Sequence, residues 1–406
     1  MVTTITEDMF TPEAIADPYS YFGQLREEDP VHWNDKYEVW VITRHEDLVW
    51  LTRHHELFSS AVFKNDTRPA YPDINESDTG LYEFVKDYQG DQFIQHDRPS
   101  HLEMRKIVHG YFTPKSMEAW RPMVKEAIKD LLDAAEEKGH MDVMQDFAVP
   151  LPLLVIAQMM GVPKVDRPYI REIAEKLLNI GRGEPDRMRP LTEGMKEMVE
   201  YVSPLVDERI VNPKDDFISV LAQGEKQGVF SRHQVLVNTS LLLLAGHETT
   251  INLLANGTLA FIRNRDQWDL LQQDPDGMAQ KANEECLRYD SSVKSIQRIA
   301  SQDVEMRGKT LREGDRIRWF MSSANRDPRK FENPDTFDIT RWPNPHVAFG
   351  AGIHHCLGAT LVRVEGQEAF KAIAQRFPSL TLETEQLEYH PSITFRSLKS
   401  LPVTWN

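Results

Sequence analysis

Three short stretches hold residues whose types and spacing could do chemistry. Near the C-terminal end, Phe349-Gly350-Ala351-Gly352-Ile353-His354-His355-Cys356-Leu357-Gly358 sets a cysteine among glycines, just ahead of residues 359–370, which read as a helix. A cysteine at a helix N-terminus feels the positive end of the helix dipole, which favours thiolate over thiol. Gly350, Gly352 and Gly358 carry no Cβ, so the backbone can pass close to something flat or bulky. Their amides can point at the sulfur and soften its charge. A thiolate so placed is a metal ligand or a nucleophile; a buried free cysteine beside a glycine turn is the plainer alternative.

The second stretch is Ala245-Gly246-His247-Glu248-Thr249-Thr250, inside the most apolar part of the chain, residues 235–262. The plain reading of Thr249 is a hydroxyl bonded back to the carbonyl of Ala245. Gly246 reads as a helix glycine that costs about 1 kcal/mol against alanine. Glu248 is harder to dismiss, because a carboxylate among apolar neighbours is expensive unless paired. Acid, alcohol and glycine together suggest a groove that delivers protons to a buried reactive group. The third stretch is Glu285-Cys286-Leu287-Arg288. Alone it is an ordinary i,i+3 ion pair, most often a solvated one.

The elements that must position these residues are mostly helical. Residues 11–29 read as an amphipathic helix, 31–33 and 39–42 as a hairpin, and 45–52 as a helix. Residues 61–90 read as a long loop with a short helix near 81–87, and a loop of that length is usually functional or a mobile insertion. Pro99 and Ser100 open a helix on which His101 and Arg105, four apart, share a face. Residues 115–212 are helical between prolines. Ser231-Arg232-His233-Gln234 is a capping box that opens a core helix of about thirty residues. A helix at 276–289 follows, then strands at 304–311 and 316–321, an irregular stretch at 327–345, and alternation at 380–405.

The chain has 406 residues, so size alone suggests two domains or more, yet no linker, repeat or low-complexity segment divides it. It reads as one unit, 1–406. A formal net charge of −16 argues against nucleic acid as a partner. Cys286 and Cys356 make no disulfide framework, so a reducing cytoplasm is the expected home. The N-terminus has neither basic nor apolar signal regions, and polar residues interrupt 235–262, so no membrane anchor is expected.

The filled pattern Phe-x-x-Gly-x-x-x-Cys-x-Gly resembles the haem-ligand loop of the cytochrome P450 family, in the form found in soluble bacterial members. Residues 245–250 resemble that family's oxygen-activation motif at every position. Glu285, Arg288 and Arg341 match its Glu-Arg-Arg triad, a lock behind the haem. The resemblance runs from Asp17-Pro18-Tyr19 to Leu401-Pro402-Val403. It departs at Ser292, where many bacterial relatives carry proline, beside the substrate cavity.

The resemblance implies a mainly α fold with a small β-rich part, the cytochrome P450 fold. It implies haem b (iron protoporphyrin IX) with Cys356 as the axial thiolate. Phe349, Gly350, Gly358 and Ala245 would lie against the cofactor. His101, Arg105, Arg298 and His354 would hold its propionates. Thr249 would hold the hydrogen-bond network of bound dioxygen, and Glu248 would link it to solvent protons. The implied reaction inserts one oxygen atom from dioxygen into a hydrophobic small molecule. Electrons would come from NAD(P)H through a separate ferredoxin or flavodoxin, because no dinucleotide fingerprint is present. Lys106, Lys115, Arg121 and Arg363 would form the docking patch. Val293 to Ile296, Leu241 to Ala245, Ile393-Thr394 and residues 61–94 would wall the cavity. His355 is expected at the surface. The alternatives are a peroxide-driven haem enzyme, a non-catalytic haem sensor or carrier, and a haem-free helical protein.

Overall fold

The computed structural model describes residues 8–68, 74–178 and 186–405. Its longest element is the helix Arg232–Arg263, 32 residues or ~48 Å at 1.5 Å per residue. The capping box forms as the spacing requires. Ser231 Oγ accepts from the Gln234 amide, and the Gln234 side chain accepts from the Ser231 amide. Apolar residues surround this helix on most sides, so it can be stable only inside the molecule. There it packs against Pro150–Met159, Met188–Val211, Pro275–Tyr289 and Ala359–Arg376. Among the described residues no helix is long and apolar enough to cross a membrane.

A five-stranded sheet lies beside the helices in the order Val31–Asn34, Val39–Ile42, Arg316–Phe320, Ser295–Ala300, Phe58–Ser59. Val39–Ile42 and Arg316–Phe320 run parallel; Ser295–Ala300 runs antiparallel to the latter, with Arg298 opposite Ile317 and Ile296 opposite Trp319. A three-stranded sheet joins His140–Asp142, Pro402–Thr404 and Thr381–Leu382.

The structure departs from the sequence reading in five places. The helix expected over 11–29 is two, Pro12–Ala16 and Pro18–Glu28. Pro18 disfavours helical geometry at Asp17, whose carboxylate instead accepts from the Tyr19 amide and caps the second helix. The stretch 61–90 holds more helix than expected, Val62–Asn65 and Thr79–Gly90; its residues 69–73 lie outside the described residues. So do residues 179–185 of the helical stretch 115–212, and 1–7 of the N-terminus. Ser295–Ala300 is a strand that Gln297 and Arg298 disguised. Residues 304–311 form a hairpin, Val304–Met306 with Lys309–Leu311, turning through Arg307 and Gly308 at φ 50° and 75°. Most of 380–405 is irregular, with two short strands.

Candidate active site

Cys356 lies between the turn Gly352–His354 and the helix Ala359–Arg376. Gly350 and Gly352 adopt φ of 64° and 69°, and a Cβ on Gly352 would stand 2.2 Å from the Thr52 carbonyl oxygen. That position excludes every other residue. Gly350 and Gly358 have the opposite surroundings: a Cβ on either would meet no atom within 4 Å. The Cys356 amide donates to the Phe349 carbonyl at 2.9 Å. The residue as a whole keeps partial accessibility.

Burial pushes the Cys356 thiol up from its ordinary value; the amides of Gly358 and Ala359 and the charges of Arg105 and Arg363 push it down. Burial wins, which corrects the expectation that the helix terminus alone makes a thiolate. A metal cation held by the sulfur would supply what is missing, because a coordinated thiol is deprotonated outright.

Above this loop stand four groups from three regions. His101 and Arg105 come from the helix Ser100–His109, Arg298 from the strand Ser295–Ala300, and His354 from the loop itself. The His101 and His354 rings lie 4.0 Å apart. His354 Nε2 shares a 2.8 Å hydrogen bond with Ser60 Oγ. Arg298 sits over the Trp319 ring at 4.9 Å, and Arg105 donates to the His355 carbonyl at 2.5 Å. His101 is fully buried, and neither of its ring nitrogens has a partner. Burial and then Arg105 lower its pKa to about 4; burial and then Arg298 hold His354 far below the usual histidine range. Burial also brings Arg298 down to about 10, with Asp97 opposing. Such crowded, under-partnered donors fit a pair of anionic carboxylates, with arginines suited to bind them bidentately.

The middle of the core helix carries the second set of candidate residues. Ala245 is exposed there, although most residues of this helix are buried. Leu242, Gly246 and Thr249 are partly open, and spacings of three, four and seven put them on one face with Ala245. Thr249 Oγ1 donates to the Ala245 carbonyl at 2.8 Å, the plain bond that the sequence suggested. Gly246 presses on Ile156, whose Cδ1 would lie 2.8 Å from a Cβ at that position. Glu248 is buried. Thr250 Oγ1 donates to Glu365 Oε2 at 3.4 Å, and burial raises the Glu365 carboxyl to about 8. Val293, Ile296, Ile393 and Thr394 are partly accessible.

The pair Glu285–Arg288 is no surface pair. Both side chains are fully buried, bonded at 2.7 Å and 2.8 Å. Arg341 stands 3.3 Å from Glu285. Arg288 also donates to the carbonyls of Asn325, Pro334 and Thr336. The triad thereby clamps the irregular stretch that leads into the cysteine loop. Cys286 is plain core, as expected, and His355 is exposed.

Of the four cations expected to form a docking patch, Lys106 and Lys115 are exposed. The other two are already bound: Arg121 to Glu118 and Glu368, Arg363 to Glu284. Sequence reasoning missed Ser60, Trp319 and Glu365, for which no local motif speaks.

The family model "Cytochrome P450" matches residues 157–399. The chain is 36% identical over 407 residues to the biotin biosynthesis cytochrome P450 of Bacillus subtilis (strain 168), covering 99% of this chain and 100% of that one. The structure of P450BioI in complex with hexadec-9Z-enoic acid ligated acyl carrier protein matches with a TM-score of 0.87 at 34% identity, over 97% of this chain and 99% of that one. CYP109E1 from Bacillus megaterium, in complex with testosterone, matches with a TM-score of 0.85 at 30% identity, over 98% and 100%. The glycine-framed cysteine, the cation cluster beside it and the acid–alcohol stretch of the core helix go with a full-length likeness, and the chain belongs to the cytochrome P450 family of haem monooxygenases.

Proposed function

We propose that residues 1–406 work as one haem domain in which Cys356 would hold the iron of haem b through its thiolate. Phe349, Gly350, Gly358 and Ala245 would lie against the cofactor, and His101, Arg105, Arg298 and His354 would bind its propionates. The observation that carries this reading is His101, fully buried with two unpartnered ring nitrogens, 4.0 Å from His354. A buried polar group without a partner is costly, and a propionate supplies one. Bound haem supplies the dioxygen chemistry that puts one oxygen atom into the substrate and releases the other as water. The chain's own residues do the rest. Thr249 donates or accepts a proton at its hydroxyl on the open face of the core helix, and Glu248, one residue before it, passes protons from outside. The triad holds the loop so that the sulfur stays in place.

Electrons come from NAD(P)H through a ferredoxin or a flavodoxin, whose acidic surface would meet Lys106 and Lys115. With both cysteines free, the reducing cytoplasm suits the protein. Substrates are hydrophobic small molecules, in line with what the similar structures hold, a fatty acyl group and a steroid among them.

The test is the reduced, carbon-monoxide-bound spectrum of the haem-loaded protein. A red-shifted Soret band that disappears in Cys356→Ser is expected; an unshifted band in the native protein would refute thiolate ligation. Turnover with a ferredoxin system but not with peroxide alone is the second expected result. The reverse would favour the peroxide-driven alternative.

A further inference from the structure

The short strand Phe58–Ser59 ends in a corner at Ser60. Ser59 pairs with Ile299, so the corner lies next to the strand that carries Arg298. One carboxylate fixes it. Asp97 accepts from the Ser59 hydroxyl at 2.5 Å and from the Ser60 amide at 2.8 Å. Ser59 Oγ accepts in turn from the Ala61 amide and from Asn65 Nδ2, and the Ser60 carbonyl accepts from the Val62 amide. The carbonyl of Asp97 accepts from the His101 amide at 3.0 Å. Asp97 therefore ties the corner to the start of the helix that carries His101 and Arg105. Ser60 itself is 2% exposed, so its hydroxyl has no water to turn to.

That hydroxyl lies 2.8 Å from His354 Nε2 and has no other partner among the described residues. A hydroxyl donates or accepts, whereas an imidazole nitrogen does one or the other according to where the proton sits. With no second acceptor in reach, the Ser60 O–H donates to Nε2. Nε2 then carries no proton, and the proton is on Nδ1, because the bond made by one ring nitrogen decides the form of the other. Nδ1 makes no hydrogen bond among the described residues, and the ring borders the same small cavity as Arg298 and Trp319. The reverse arrangement, with Nε2–H donating to Ser60, would strand a buried hydroxyl proton and leave Nδ1 a bare lone pair. Burial and then Arg298 favour the neutral imidazole, so the ring has a single N–H to place.

We propose that Ser60, held by Asp97, is a positioning residue for the cofactor: its hydroxyl fixes His354 in the form with the proton on Nδ1, the form that can donate to a haem propionate. The proposal rests on the haem reading and deepens it, since it names what orients one of the four propionate donors. It also accounts for a carboxylate among groups meant for an anion. Both oxygens of Asp97 are taken by the corner, Oδ2 by Ser59 and Oδ1 by Ser60. An alanine at position 60 would leave the corner its backbone bonds and remove only the group that selects between the two forms of the ring. Nothing near Ser60 in the chain announces this role, because its partner lies 294 residues away.

The ring nitrogens are read by nuclear magnetic resonance of the haem-loaded full chain with isotopically labelled histidine, in the reduced, carbon-monoxide-bound form. The His354 signals are those missing from His354→Phe. The native ring should show a protonated Nδ1 and a bare Nε2, and Ser60→Ala should lose that preference. Oxidised haem should pass from Ser60→Ala to excess apomyoglobin about tenfold faster than from the native protein, the scale on which groups behind a ligand act. In His354→Phe the further change Ser60→Ala should leave the transfer rate unaltered, because residues that act as one unit are not additive. A proton on Nε2 in the native protein overturns the proposal without any Ser60 variant. So does unchanged haem transfer in Ser60→Ala, or an effect of equal size with and without the imidazole. A red-shifted carbon-monoxide band in the native protein beside any of these results assigns the failure to Ser60 and not to the haem-thiolate reading.

Discussion

At Cys356 two local effects oppose each other. The amides of Gly358 and Ala359 and the charges of Arg105 and Arg363 favour the thiolate, while burial favours the thiol more. Substituting the sulfur removes the proposed metal ligand with little change to the packing of the loop. Cys356→Ser should therefore keep its helical circular dichroism and lose the red-shifted band; retention of that band would take the ligand role away from this residue. Thr249 poses a separate question, because its hydroxyl bonds to the Ala245 carbonyl and needs nothing else for structure. Thr249→Ala should fold normally and still consume reduced nicotinamide. Product formed per electron should fall by about 10²-fold as hydrogen peroxide is released, the low end of what one positioned proton carrier contributes. Unchanged coupling would leave Thr249 with only its helix bond.

Between elements, Glu284 ties the helix Pro275–Tyr289 to the cysteine loop and to the helix that follows it. Its carboxylate meets Arg363 at 2.8 Å and His346 at 3.2 Å. Burial alone would raise its pKa, but these two partners bring it down to about 2. An unfolded glutamate titrates near 4.3, so the stabilisation is present above that pH and is lost as pH falls toward 2. The size is on the order of 3 kcal/mol at neutral pH. Glu284→Gln should melt several degrees lower at pH 7, and the difference should vanish in acid; a constant difference across this range would show that the charge is not what matters. None of this was legible in the sequence, where Glu284 is one acid beside the Glu-x-x-Arg pattern. The cysteine loop, the acid–alcohol motif and the capping box were legible because each is contiguous and its chemistry follows from neighbours a few residues apart. Ser60 reaches His354 across 294 residues, and Trp319 underlies Arg298 only because two strands pair in one register. The strand Ser295–Ala300 escaped notice because its polar Gln297 and Arg298 serve the site and break the apolar alternation.

Over the whole molecule, acidic groups outnumber basic ones and the net charge is −16, so raising the pH adds repulsion to a chain already negative. One interior carboxyl sharpens that trend. Glu365 lies between the helix after the cysteine and the core helix, 1% exposed, with Thr250 as its hydrogen-bond donor. Burial raises its pKa to about 8, and the Thr250 bond offsets only part of that rise. In the unfolded chain it ionises near 4.3. Between these pH values the unfolded state gives up a proton that the folded state keeps. Its contribution to stability is therefore complete below about pH 4, declines as pH rises, and is gone above about pH 8. Glu365→Gln carries the same shape with no charge to form. Its melting temperature should change less with pH than that of the native protein, with the variant the more stable of the two above pH 8. Parallel curves would mean that Glu365 is ionised in the folded molecule at neutral pH, held by groups other than Thr250.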